Sequence, residues 1–262
     1  MDAERLFSKD IMRKFILLST QRSGSTWVID MLNSHPQVKA YEELFLENWK
    51  EKPTWAGAKD IFTWNAYWSN RKAALNELIK PYFYFKYLGR VYTSRNVSLK
   101  AVGFKVMYSQ IRHHPPLFFC LLLHRISVVH LIRKNYLDVI LSERAVVMRD
   151  MPHSYDRVDE VKIYLDPSNL LSILRWKERK VNWSKAIFSR LGLPYIEVTY
   201  ENLVSGDEKF DNILNFLGID KGSEILRTSL RKMNKGTHKD LIENYEEIRN
   251  LLEGTRYISL IT

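Results

Sequence analysis

Cysteine is almost missing from this chain: Cys120 stands alone among 262 residues. A single thiol excludes an intrachain disulfide framework and fits a reducing, cytoplasmic setting. Long apolar runs are missing as well. The stretch "PPLFFCLLL" is too short to cross a bilayer, so no integral membrane segment is expected. The first residues, "MDAERLFSKD", are polar and charged where the apolar core of a signal peptide would lie. There is no internal repeat, no low-complexity tract, and no set of His, Cys and carboxylates at metal-ligand spacing. Acidic charge is in deficit, with 30 Asp and Glu against 40 Lys and Arg, a formal net charge of +10. Such an excess points to anionic partners, or else to a solvated basic surface. The cations are spread along the chain with no Lys/Arg tail, and nucleic acid is therefore not the expected partner.

What is present is ordinary for a globular domain: 45% of the residues are hydrophobic and 27% charged. The length suffices for one full core, and residues 1–262 are read as a single domain. Four short apolar runs read as buried strands: Phe15–Thr20, Ala101–Met107, Ser127–Ile132 and Tyr195–Tyr200. Their near-continuous Val/Ile/Leu character predicts a parallel sheet covered on both faces. Helical patterns separate them: "STWVIDMLNSH", "NYLDVILSERAVVMRD" and "NLLSILRWKERKVNWSKAIFSRLGL", with "DEKFDNILNFLGI" and "KDLIENYEEIRNLL" in the tail. The alternation predicts an α/β fold, a central parallel sheet flanked by helices. One segment, about 49–95, is crowded with aromatics and reads as a mostly helical insertion over the sheet.

The most informative stretch is "FILLSTQRSGSTW" (Phe15–Trp27), an apolar strand breaking into a hydroxyl-lined basic turn before a helix. Such a loop lies at the carboxyl edge of a parallel sheet, where α/β proteins bind ligands. The helix start offers unpaired N–H groups to an anion. Gly24 allows close backbone approach, Ser23, Ser25 and Thr26 offer hydroxyls, and Arg22 brings fixed positive charge. Against the Walker A pattern, Ser19 replaces the first glycine and Ser25 replaces the lysine. A magnesium-dependent nucleotidase is thereby disfavoured.

These residues resemble the 5′-phosphosulfate loop of sulfotransferases that use 3′-phosphoadenosine 5′-phosphosulfate (PAPS), with Arg22 where cytosolic members carry a lysine. The resemblance implies a P-loop-containing nucleotide-binding fold, with Arg22–Trp27 as cofactor contacts. A second motif of that superfamily, an arginine ending a strand and a serine on the next helix, holds the 3′-phosphate. It is similar to "VVHLIRKNYLDVILSERA". Spacing pairs Ser142 with Lys134, whereas the double-basic pattern of bacterial and carbohydrate-directed relatives favours Arg133. Both cations remain candidates. "AVGFKVMYSQ" and "YIEVTYENLV" resemble strands of the bacterial, carbohydrate-directed branch, of which trehalose sulfotransferase is an example. "RKMNKGTHKDLIENYEEI" resembles the loop closing over the product adenosine 3′,5′-bisphosphate (PAP), with Lys232, Lys235 and Gly236 as contacts.

Sulfuryl transfer needs in-line positioning, positive charge at the departing phosphate, and a base for the acceptor proton, but no metal. Cytosolic relatives carry a Lys-Thr-His sequence on the strand resembling "GFKVM"; here Lys105 is kept and Met107 replaces the histidine. In the bacterial branch a glutamate just after the first helix serves instead. In "NSHPQVKAYEELF" that implies Glu43, with Glu42 as the fallback, the two neighbours expected to point to opposite sides of an extended segment. His35, His130, His113 and His114 read as a turn cap, a strand residue and two loop residues. The acceptor, a small molecule, carbohydrate or glycolipid offering a hydroxyl or an amine, is expected at the insertion. There Trp55, Trp64, Tyr67 and Trp68 would stack on it, line a slot, or form a small core of their own. Two rival readings stay open at this stage: a P-loop small-molecule kinase, and a non-catalytic polyanion-binding protein on the same fold.

Overall fold

The computed structural model describes residues 12–46, 63–69, 79–93, 98–149, 162–206, 210–219, 226–228, 230 and 236–261. The sheet is built from β1 (Arg13–Ser19), β2 (Val38–Tyr41), β3 (Ala101–Met107), β4 (Ser127–Ile132) and β5 (Tyr195–Thr199). These five strands lie in the order β2-β3-β1-β4-β5, and every pairing is parallel. The chain runs from β1 out to the β2 edge, returns through β3, and then crosses to β4 on the other side of β1. The loops leaving β1, β3 and β4 therefore open side by side at the carboxyl edge, the position where such sheets place a ligand.

The helices are α1 (Ser25–Asn33), α2 (Trp64–Ser69), α3 (Lys80–Val91), α4 (Tyr108–His113), α5 (Pro115–Leu123), α6 (Tyr136–Arg149) and α7 (Pro167–Phe188). After β5 come α8 (Tyr200–Ser205), α9 (Phe210–Phe216), α10 (His238–Leu241) and α11 (Tyr245–Leu252). None of the described helices is long and apolar enough to cross a membrane.

Strand side chains alternate between two cores, which explains the unbroken apolar runs. Phe15 and Leu17 pack with Val28, Ile29 and Leu32 of α1 and with Ile213 and Leu214 of α9. Ile16 and Leu18 face the opposite core, shared with α2, α3 and α5. Gly103 lets β3 pass Phe15, because a Cβ there would stand 2.6 Å from the ring. A third core joins α6, α7 and α11. Cys120 is buried in the second of these cores, and burial pushes its thiol pKa up, leaving it unreactive.

Four expected strands are present within two residues of their boundaries; β2 is the one not anticipated. Its four residues are too few to show a period, and it is specified by pairing Val38 with Ala101 through Tyr41 with Phe104. The tail pattern "KDLIENYEEIRNLL" is not one helix either. It breaks at Ile242, which bridges to Ile163, and Ile163 N donates to Leu241 O at 2.8 Å.

Of the readings open for the insertion aromatics, packing holds for three residues, although in a core shared with the sheet and not in a small one of their own. Trp64, Tyr67 and Trp68 are 2%, 5% and 8% exposed, and they belong to the core of the sheet itself. Trp64 stacks on Tyr84 with centroids 3.8 Å apart, and Phe45 lies parallel to Tyr84 at 6.0 Å. Trp55 lies outside the described residues. His35 caps its turn through Nδ1, which accepts from Gln37 N at 3.2 Å. His113 is helical and His114 is buried against Tyr84, its Nδ1 2.6 Å from the hydroxyl.

His130 sits in β4, fully buried, between two phenols: Tyr108 at Nε2 and Tyr195 at Nδ1, the latter 2.6 Å away. Tyr195 donates to Glu197 at 2.9 Å, and Glu197 pairs with Lys185 at 2.7 Å. Burial chiefly lowers the His130 pKa, to about 4, with Lys185 adding to the shift and Glu197 opposing it. The unfolded chain takes up this proton near pH 6.5 and the folded chain only near 4, so stability falls as pH drops through that window. Equilibrium urea unfolding from pH 7 to 4 should show this loss, approaching roughly 3 kcal/mol. The pH-dependence should be clearly shallower in His130→Gln, whatever that variant's absolute stability. Parallel slopes in the two proteins would refute the assignment.

Candidate active site

The turn after β1 is held in an uncommon shape. Arg22 has φ 58° and Gly24 φ 83°, both left-handed. For arginine this conformation is strained, and strain of this kind concentrates at ligand-binding loops. Three contacts enforce it. Ser23 Oγ donates to Thr20 O at 2.8 Å, Arg133 Nη1 donates to Arg22 O at 3.1 Å, and the Tyr200 ring lies directly over Gly24. Gly24 precedes α1 with no side-chain cap, and the first N–H groups of that helix face the turn. Trp27 faces inward, edge-on to Tyr200 and Phe210 at 5.8 and 5.3 Å.

Two arginines converge here. Arg22 Nε donates to Ser142 Oγ at 2.9 Å, joining the turn to α6. Burial first, and then the neighbouring Arg133 charge, lower the Arg22 pKa, while Glu143 opposes them. Arg133 lies 4.8 Å over the Tyr200 ring and pairs with Asp138 at 2.7 Å. Its Nε is buried without a hydrogen-bond partner. The other oxygen of Asp138 accepts from His238 Nε2 at 2.9 Å. Hydrogen bonds to His238 and Arg133, together with their charge, outweigh burial and hold the Asp138 carboxyl below its usual value. Lys134 is exposed; its backbone N–H and that of Asn135 are taken by Glu201 at 3.1 and 2.9 Å. Of the two neighbouring cations, it is thus Arg133 that faces the turn. Gly236 stands two residues before His238, and this brings its segment to the same corner. Lys232 and Lys235 lie outside the described residues.

On the β3 side, Lys105 is 1% exposed. Its Nζ donates to Thr26 Oγ1 at 3.0 Å, ion-pairs with Glu42, and lies 3.3 Å from Glu43 Oε1. The expectation that Glu42 and Glu43 point apart is therefore corrected. The strand ends at Tyr41, and beyond it the chain turns so that both carboxylates reach one ammonium. Burial raises the Glu42 pKa against the pull of Lys105. The Glu43 side chain is 17% exposed against 9% for Glu42, and its Oε2 accepts from Gln110 Nε2 at 2.7 Å. Gln110 is fixed in turn by accepting from Met107 N at 2.9 Å. Met107 receives the Ser19 hydroxyl at its sulfur, 3.5 Å away.

Sequence reasoning gave no role to Gln110, Asp138, Tyr200 or His238, although Gln110 and Tyr200 stand inside the motifs "AVGFKVMYSQ" and "YIEVTYENLV". Their one sequence signal is a place within the quoted motifs, because each acts by a contact spanning many residues of chain. Among the described residues, no group of His, Cys, Asp and Glu is placed to hold a metal ion.

Gly24 supplies a test of this construction. Gly24→Ala combines left-handed strain with overlap onto Tyr200, whereas Gly254→Ala at φ 71° has open space around it. Denaturant unfolding should show roughly 1–3 kcal/mol lost at Gly24 and clearly less at Gly254. Equal losses would mean that the Tyr200 contact contributes nothing.

The sulfotransferase family model matches residues 15–222. Comparison with curated protein sequences gives no match. Among solved structures, the chain is similar to mouse sulfotransferase SULT7A1 complexed with PAP, at 11% identity and a TM-score of 0.46, covering 95% of this chain and 87% of that one. It is similar also to a sulfotransferase from Alicyclobacillus acidocaldarius, at 12% identity and a TM-score of 0.45, covering 95% of each chain. With the family match spanning the turn after β1, the loop after β4 and the Lys105 cluster, the chain belongs to the sulfotransferase family.

Proposed function

We propose that this protein moves the sulfuryl group of PAPS to a hydroxyl or amine of a small-molecule, carbohydrate or glycolipid acceptor, acting in the cytoplasm as a single domain over residues 1–262. The observation that carries the reading is the meeting of Arg22, Arg133 and the α1 N-terminus with the Lys105–Glu43–Gln110 cluster at one sheet edge. The residues present fit a doubly phosphorylated nucleotide. The first N–H groups of α1 carry no side-chain cap, and the buried Arg133 Nε is an unused donor.

When bound, PAPS supplies the sulfuryl group and departs as PAP. Arg22 and the hydroxyls of Ser25 and Thr26 would hold the 5′ end, and Arg133 with Ser142 the 3′-phosphate. Arg22 is tethered through its Nε, so its charge is already in place and costs no reorganisation as negative charge grows on the departing phosphate. Glu43 is assigned as the base. It is the more exposed of the two carboxylates, and Gln110 and Lys105 fix its orientation so that one oxygen can take the acceptor proton. Glu42, more deeply buried, balances the Lys105 charge. Lys105 also links the base to Thr26 on the donor side.

Thermal unfolding with saturating nucleotide tests the donor site. PAP at a hundred times its Kd should stabilise the fold by about 2.7 kcal/mol, and adenosine 5′-monophosphate or ATP at equal concentration by much less. Arg133→Ala should abolish the preference for PAP. Equal stabilisation by the three nucleotides would remove the 3′-phosphate assignment. Single-turnover transfer at saturating PAPS tests the base: Glu43→Gln should slow it by about 10²–10⁴-fold with PAP affinity kept. Glu42→Gln should cost less than about tenfold, because Glu43 still neutralises Lys105. A larger defect in Glu42→Gln would transfer the role to that residue.

A further inference from the structure

Trp64, Tyr67 and Trp68 are buried in the core, and two exposed tryptophans stand on α7. Trp176 is 53% exposed and Trp183 is 69% exposed, unusual for the largest apolar side chain. Seven residues separate them, two helical turns or about 10 Å along one face. Lys180 lies between, with its Nζ 4.8 Å over the Trp176 ring, and Lys177 Nζ is 5.9 Å from the same ring.

This face is tied to both halves of the site. Lys177 holds both oxygens of Glu143 at 2.8 Å, and Glu143 follows Ser142, the partner of Arg22. The charge of Arg112 also reaches Lys180, and Arg112 is in the last turn of α4, the same short helix whose Gln110 orients Glu43. Burial, Lys177 and Arg112 all hold the Lys180 ammonium below its ordinary value, and Glu143 offsets this only in part. Among the described residues, no carboxylate pairs with Lys180 or Arg112, and Glu143 is already engaged by Lys177. Cations brought together with too few anions favour an anionic ligand.

We propose that Trp176, Lys180 and Trp183 form the acceptor subsite, and that the acceptor is an extended saccharide already bearing carboxylate or sulfate groups. The proposal rests on the sulfotransferase reading for its chemistry, though not for its binding. Sugar rings offer apolar faces to the indoles, hydroxyls to the base, and charged substituents to Lys180 and Arg112. Two tryptophans on one open helix face suit a chain of rings; small apolar acceptors are instead enclosed in concave pockets.

The test is equilibrium titration of the full chain, without donor, followed by tryptophan fluorescence and calorimetry. Three probes of matched length are used: a uronic-acid oligosaccharide, a neutral glucose oligosaccharide and single-stranded RNA. The uronate should bind, with the neutral oligosaccharide at least about tenfold weaker, and Trp176→Ala and Lys180→Glu should each weaken the uronate by about tenfold or more. The PAP-dependent thermal shift should be unchanged in both variants, showing an intact fold and donor site. A missing PAP shift in the parent protein would count against the donor assignment alone. The subsite is overturned if the uronate does not bind, if the neutral oligosaccharide or RNA binds as tightly, or if the variants keep full uronate affinity.

Discussion

A lysine ammonium in the middle of a buried strand has to be neutralised where it stands, and much of the active-site geometry follows from that requirement. Removing an ion from water costs several kcal/mol even after relaxation, so Lys105 at 1% exposure would be untenable without close partners. Its partners include Glu42 and Glu43 from the chain beyond β2, and Thr26 from α1. One charge therefore draws the exit of β2 and the first turn of α1 onto β3. Breaking that set would free Glu43 and loosen the first turn of α1.

The other half of the site is organised by a second unfavourable choice, two arginines side by side. Their mutual repulsion is tolerated because each is clamped. Arg22 is clamped by Ser142, and Arg133 by Asp138, which His238 holds from the far C-terminal segment. Arg133 then grips the backbone of the left-handed turn. A doubly anionic nucleotide would relieve the repulsion, which is the electrostatic sense of keeping both cations preset. The same reasoning extends outward to Lys180 and Arg112, where positive charge is again gathered ahead of need.

Aromatic residues divide between scaffold and surface according to which core the sheet leaves open. The face built from Ile16, Leu18, Phe104 and Val106 is covered by Trp64, Tyr84 and Tyr87, so these rings serve packing and are closed to ligands. On α7 the apolar stripe that meets the core includes Leu170, Leu174 and Val181, and Trp176 and Trp183 fall on the opposite side. Aromatic content in the sequence is the same signal in both places. Only the direction of the side chain separates a core residue from a platform.

The amino-acid sequence by itself determined the class of fold and the position of the left-handed turn between β1 and α1. Buried parallel strands must be apolar throughout, and a Gly-containing hydroxyl run between a strand and a helix marks such a turn. Strand β2 was not legible, because four residues carry no period and their pairing partner lies some sixty residues away. The roles of Arg133 and Lys134 were not separable from spacing. The choice depends on which side chain β4 directs toward the turn, and the chain folds so that Lys134 faces solvent. The relation of Glu42 to Glu43 was misread, since the alternation rule holds only while the backbone stays extended, and here it ends at Tyr41. Gln110, Asp138, Tyr200 and His238 became visible only in three dimensions. Gln110 meets Glu43 across 67 positions of chain, His238 meets Asp138 across 100, and Tyr200 meets Gly24 across 176, and no local pattern encodes a distance of that kind.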